Sequence, residues 1–181
     1  MKSNIRILIL AIFLLLTGNT YAQQKKVYAQ QQKIETDLVI GTSMPEQYHM
    51  GIRIHYIPNA RLDFIFGSDL NDDYNGTLYA ATVNHAFYFG KVNSKINREL
   101  WSVNTGVSFL LEQTVQLKST SGYLNLFFAR ELPITKRIFI QPEFGASYFL
   151  FEEIVNQDNF AIKGHRIRIT PKYGLNLIVK L

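Results

Sequence analysis

From about residue 36 to the C-terminus, hydrophobic residues recur at every second position, the period of a β-strand with two unlike faces. The stretch Tyr48–Tyr56 shows it most cleanly: Tyr48, Met50, Ile52, Ile54 and Tyr56 share one face, and His49, Gly51, Arg53 and His55 share the other. Next along the chain, Leu62, Phe64 and Phe66 oppose Arg61, Asp63 and Gly67. Trp101, Val103, Val107 and Phe109 stand against Ser102, Asn104, Gly106 and Ser108. Leu124, Leu126 and Phe128 face away from Asn125 and Ala129, with Tyr123 and Phe127 blurring the polar side. Ile138, Ile140, Phe144 and Tyr148 oppose Gln141, Glu143, Gly145 and Ser147. The last run sets Ile167, Ile169, Tyr173, Leu175, Leu177, Val179 and Leu181 against Arg166, Arg168, Lys172, Gly174, Asn176 and Lys180. Weaker alternation covers about 36–44 and 77–89. Eight strands result, and no ten-residue window carries a helical stripe. The fold class predicted is all-β, one antiparallel up-and-down barrel over 36–181.

Turn chemistry separates the runs. Pro58-Asn59-Ala60 makes a tight turn, Asn75-Gly76 ends a polar loop, and Pro133 interrupts the link after the sixth strand. Residues 90–99 form a long link between the fourth and fifth strands, and 153–164 form the longest.

Alternation alone leaves open which face points inward. A soluble lipocalin-like barrel would hold its apolar face inside, around a ligand. An eight-stranded interior, however, is only wide enough for side chains to fill it. Gly41, Gly51, Gly67, Gly106, Gly145 and Gly174 all fall on the polar face, joined by Ser43, Ser102, Ser108, Ala129 and Ser147, while the bulky residues crowd the other. The small face fits a narrow lumen and the bulky face would overfill it. The apolar belt therefore faces out, where lipid is the solvent that tolerates it. Tyr48, Tyr56, Trp101, Tyr148 and Tyr173 lie toward the ends of the outward rows, as interfacial aromatic girdles do.

The first residues agree with that destination. Lys2 and Arg6 precede the apolar run Ile7–Leu16, and Thr20 and Ala22 stand at the −3 and −1 positions of a cleavage site. This is the layout of a secretory signal peptide over residues 1–22, with cleavage expected after Ala22 and a run too short to span a bilayer. Gln- and Lys-rich residues 23–35 read as a flexible leader. Loss of Lys2 and Arg6 lowers the formal charge from +5 to +3. That mild surplus is interspersed with acids, so no nucleic-acid footprint is present. Without any cysteine, disulfides and thiolate metal sites are excluded.

The final run is the most specific element. Lys172, Gly174, Leu177 and Val179 follow the polar-x-Gly-x-x-apolar-x-apolar order, with Leu181 at the end where Phe is commonest. In this and in its eight alternating strands the region 36–181 resembles the small outer-membrane barrel class that includes OmpA and OmpX. The resemblance implies recognition of that final strand by the barrel-assembly machinery, a setting in outer-membrane lipid of a Gram-negative-type bacterium, and both termini in the periplasm.

Candidate chemistry is sparse. Arg53, His55, Asp63, Glu143, Arg166, Arg168 and Lys172 fall on the inward face. They could line a charged, porin-like pore; with eight strands a packed polar core of paired charges is expected instead. His85 lies in phase with the outward Tyr79, Ala81, Val83 and Phe87, which raises a lipid-modifying enzyme as an alternative, but no Ser stands within a residue or two of it to be activated. Asp69–Gly76 is oxygen-rich, yet Thr82 stands where an EF-hand starting at Asn71 needs Glu. The four His are scattered, although His49 and His55 share one strand face. No cofactor, metal or catalytic residue is expected. The function expected is that of a non-enzymatic barrel with a filled lumen and a structural or surface-interaction role, with the 153–164 link as the surface for an extracellular partner.

Overall fold

The computed structural model describes residues 34–44, 46–69, 76–93, 98–114, 117–156 and 168–181. The expected signal peptide and its cleavage point, the leader to residue 33, residues 70–75 of the oxygen-rich loop, Arg166 and most of the 153–164 link lie outside the described residues.

Nine strands are described: β1 (Glu35–Ser43), β2 (Gln47–Ile57), β3 (Ala60–Ser68), β4 (Gly76–Asn93), β5 (Arg98–Thr114), β6 (Leu117–Arg130), the two-residue β7 (Leu132–Pro133), β8 (Ile138–Asn156) and β9 (Ile169–Lys180). Each long strand pairs antiparallel with its neighbour in the chain. The ring is continuous: β6 pairs directly with β8, and β9 returns to β1 through Asp37–Lys180 to Ser43–Gly174. Eight long strands thus form an up-and-down barrel without a free edge, and β7 only borders β8. This is the predicted architecture.

Alternation places the faces as the sequence implied. Outward lie Tyr48, Met50, Ile52, Phe64, Phe66, Phe144, Tyr173, Leu175 and Leu177, all exposed; inward lie Asp37, His49, Arg53, His55, Asp63, Asn84, Asn104, Asn125, Gln141, Ser147 and Lys172, all buried. The apolar belt is on the outside. Tyr48, Tyr79, Tyr148 and Tyr173 ring the end marked by the β1–β2 turn, and Tyr56 and Trp101 stand near the end where the described chain begins and finishes.

The lumen departs from the expected small-residue lining in one respect. Tyr88, Tyr123 and Phe127 are buried inside it. Room for bulk comes from glycine on the neighbouring strand. Gly145 pairs with Phe127, and a Cβ there would sit 2.2 Å from the Leu126 carbonyl oxygen and 2.5 Å from Phe127 Cβ. Gly106 pairs with Asn84 in the same way, its Cβ position 2.1 Å from the Asn84 amide oxygen. Small residues are there to accommodate large ones, rather than to leave space.

The long 90–99 link is corrected. β4 continues to Asn93 and β5 begins at Arg98, leaving 94–97 as the connection. A bulge between Phe89 and Val92 breaks the period of two there, and Gly90 takes φ +101°, a backbone region costly to any residue with a Cβ. Past the bulge the ladder resumes at Val92 and Asn93, opposite Glu99 and Arg98, where the polar composition disguised it.

The wall is uneven in height. β1, β2, β3 and β9 have 9, 11, 9 and 12 residues, whereas β4, β5 and β8 have 18, 17 and 19.

Candidate functional site

Two layers of buried charge cross the lumen. The first lies toward the end that holds the β2–β3 turn. Arg53 on β2 and Asp63 on β3 are register partners, so their inward side chains meet: Arg53 Nε donates to Asp63 Oδ1 at 2.9 Å. Arg53 also donates to Glu131 Oε1 at 2.9 Å and to Gln141 Oε1 at 2.8 Å, and thereby ties β2 to β3, to the β6–β7 link and to β8. Arg61 adds a second guanidinium, donating to Asp63 at 3.2 Å, to Glu131 at 2.8 Å and to the Asn104 side-chain oxygen at 3.2 Å. Tyr88 bridges Arg61 and Glu131 through its hydroxyl, and its ring lies 4.9 Å from the Arg61 guanidinium carbon. Two guanidiniums thus face two carboxylates. Beside them His55 Nε2 stands 2.8 Å from Asp37 Oδ2, with its ring stacked on Tyr88. Such a group is held by mutual satisfaction, because each buried charge alone would cost several kcal/mol.

The second layer is built around a residue that is not on a strand. Glu46, in the β1–β2 turn, folds into the barrel and is only 2% exposed. Gly67 makes this possible, since a Cβ there would lie 2.3 Å from the Glu46 carbonyl oxygen. The chain re-enters β2 through Gln47 at φ +59°, a strained conformation that the contacts of Glu46 must hold in place. Glu46 accepts from Lys172 Nζ at 2.8 Å, from Ser43 Oγ at 2.8 Å, from Thr82 Oγ1 at 3.0 Å and from Ser108 Oγ at 2.9 Å. Burial by itself would raise its pKa; the charge and hydrogen bond of Lys172, with the Ser43 hydroxyl, bring it down to about 2. Lys172 also lies 3.7 Å from Glu143, which accepts from Asn176 at 3.1 Å. Asn176 in turn meets His49 Nε2 at 2.8 Å. A hydroxyl and amide chain through Ser108, Asn125 and Ser147 completes the crossing.

Of the inward set named from sequence, Arg53, His55 and Asp63 come together in the first layer, and Glu143 and Lys172 in the second. Arg168 is corrected: it precedes β9 and is exposed rather than packed in the polar core, although its carbonyl accepts from the Phe149 amide at 2.7 Å. Sequence reading missed Glu46 and Glu131, since period-two logic applies only inside strands and both residues stand in links. The signal that could have found them was charge. Alternation turns both Arg53 and Arg61 inward on β2 and β3 with Asp63 as the only carboxylate there, and buried cations in that surplus require acids from elsewhere. Lys172 and Gly174 of the C-terminal run face inward, and Leu177 and Val179 face outward on the strand that closes the ring.

On the outer face His85 is half-buried. It is hydrogen-bonded to the Tyr56 hydroxyl and meets the Phe87 ring edge-on at 4.4 Å. Its described partners are both aromatic. Among the described residues no group of three or more His, Asp or Glu is placed to hold a metal.

Solved structures share this arrangement. The chain superposes on a major outer membrane protein of Thermus thermophilus with a TM-score of 0.51 at 9% identity, covering 82% of this chain and all of that one. This is the fold of the small eight-stranded outer-membrane barrels. Acinetobacter baumannii CarO (TM-score 0.47, 12% identity, 84% of this chain and all of that one) and the N-terminal barrel domain of Pseudomonas aeruginosa OprF (0.46, 12%, 83% and all) also match. No protein-family model matches the chain, and no curated protein matches its sequence.

Proposed function

We propose that this protein is a non-enzymatic barrel of the outer membrane whose lumen is sealed, and which acts as a wall element and a presenter of surface. The observation that carries this reading is the pair of buried charge layers inside an outward apolar belt. Arg53, Arg61, Asp63 and Glu131 cross the barrel at one level and Lys172, Glu46 and Glu143 at another, every one of them at most 8% exposed. A channel needs water along its axis, and here the axis is occupied by groups bonded to one another. The outward belt of Tyr48, Met50, Ile52, Phe64, Phe66 and Leu175 calls for lipid around it. By the same reading the termini lie in the periplasm and the taller strands project outward; 153–156 belong to β8, so the rest of the expected link, 157–164, is the partner-facing segment.

Fractionation followed by electrophoresis of boiled and unboiled samples tests the placement. Recovery in the outer membrane with a heat-dependent mobility shift supports it; recovery as a detergent-free soluble protein would refute it. Planar-bilayer recording tests the seal, for which no steady conductance is expected.

A further inference from the structure

We propose that a cavity of about 430 Å³ at the mouth of the barrel is a binding site for a single-tailed amphiphile with an uncharged or cationic head, entering sideways from the membrane. The proposal goes beyond the sealed-barrel reading and rests on its membrane placement.

The inward face changes character one step above Glu46. At the level of Glu46 the lining is Thr82, Ser108, Asn125 and Ser147, all polar. The next inward residues on β4, β5, β6 and β8 are Ala80, Leu110, Tyr123 and Phe149, packed as one apolar cluster with Leu78. A lumen wall that reached water only through its mouth would have no need of such a layer. An apolar patch below a polar rim is the usual composition of a small-ligand site, and the volume falls in the range of such sites, roughly 300–1,000 Å³.

The unequal wall supplies the entrance. Leu78, Leu110 and Tyr123 line the cavity from the tall side, and Met44, Pro171 and Tyr173 line it from the low side. Met44 and Tyr173 are 42% and 58% exposed, and the Met44 amide donates to the Tyr173 carbonyl at 2.9 Å, so the two form one lip. Tyr173 belongs to the outward aromatic ring that marks a membrane interface. The cavity thus joins the inner apolar patch to the lipid-facing surface across the folded-in β1–β2 turn. A tail can pass that lip without crossing water, which is the route that apolar matter favours.

The rim sets the head group. Asp69 and Glu112 contribute carboxylates, Thr77, Thr114, Ser121 and Thr170 contribute hydroxyls, and no cation is among the described lining residues. An anionic head would meet like charge at this rim.

The test uses the full barrel in unbrominated lipid vesicles. Trp101 is the single tryptophan and faces outward far from the mouth. In a Trp101→Phe background, Leu110→Trp places a reporter on the cavity wall, away from lipid; Leu78→Trp is a second placement if the first fails the heat-mobility test of folding. Tail-brominated long-chain alcohol, amine and carboxylate are then added. Saturable quenching by alcohol and amine is expected, with the carboxylate about fivefold weaker. A folded protein whose reporter none of them quenches would overturn the site. Equal quenching by the carboxylate would overturn the head-group assignment. Wild-type Trp101 in brominated lipid is the separate control: if it is not quenched, the membrane placement itself is wrong.

Discussion

Lys172 and Glu46 are joined by a 2.8 Å ion pair although 126 residues separate them, and only Lys172 stands on a strand. The pair pins a turn inside the lumen that would otherwise lie over the mouth. Its acid belongs to the β1–β2 turn and its base to the strand that closes the ring, so it forms only once the barrel is complete. The same bond holds Gln47 in its strained conformation.

Replacing Glu46 with Gln is expected to lower stability by about 3 kcal/mol, the low end for removing one partner of a buried pair, since Glu143 still stands 3.7 Å from Lys172. Urea unfolding in lipid vesicles, followed by the mobility shift, measures it. An unchanged midpoint would show that the turn contributes nothing to the fold.

The same carboxylate gives a pH dependence. Its pKa is lowered from 4.5 to about 2, so the folded state holds the proton less tightly than the unfolded chain. Its stabilisation is therefore complete above about pH 4.5 and is lost as pH falls through about 2. The stability gap between wild type and Glu46→Gln is expected to close over that window. A gap that stayed constant from pH 6 to pH 2 would contradict the assignment.

Arg53 is expected to be a costly interior charge to remove, because it donates to Asp63, Glu131 and Gln141 at once. Arg53→Met should cost about 3–5 kcal/mol. Adding Asp63→Leu should recover part of that loss, since the remaining Arg61 and Glu131 still balance each other at 2.8 Å. Strictly additive losses in this double-mutant cycle would show that the network is not coupled.

Gly145→Ala is expected to destabilise the barrel by at least about 1–3 kcal/mol, the range for overpacking a filled interior. The new methyl would lie 2.2 Å from the Leu126 carbonyl oxygen, backbone that cannot swing aside. Loss of the heat-dependent mobility shift, or a lowered unfolding midpoint, reports it; a neutral result would argue against the tight pairing of β6 with β8.

On the outer face, Met50→Arg is expected to cost about 2–4 kcal/mol in a bilayer, the depth-dependent penalty of a cation facing hydrocarbon. Met50 is 61% exposed within the apolar belt. The penalty should shrink in detergent micelles, where water lies closer. No penalty in a thick bilayer would mean that this face does not see lipid.

The sequence by itself determined the strands, their number and their two faces, because pleating forces successive side chains to opposite sides and Met50, Phe66 and Leu175 cannot share a face with Arg53, Asp63 and Lys172. It also indicated the direction of the apolar face, since six inward glycines suit only a narrow lumen. Tertiary structure alone decided which charges meet. Arg53 reaches Glu131 across 78 positions and Lys172 reaches Glu46 across 126, distances set by the order and stagger of strands around a closed ring. Two of the key acids stand in links, where alternation carries no information. The apolar cavity was illegible for a related reason: it arises from the difference in height between short and tall strands at the mouth, which pairing around the ring decides.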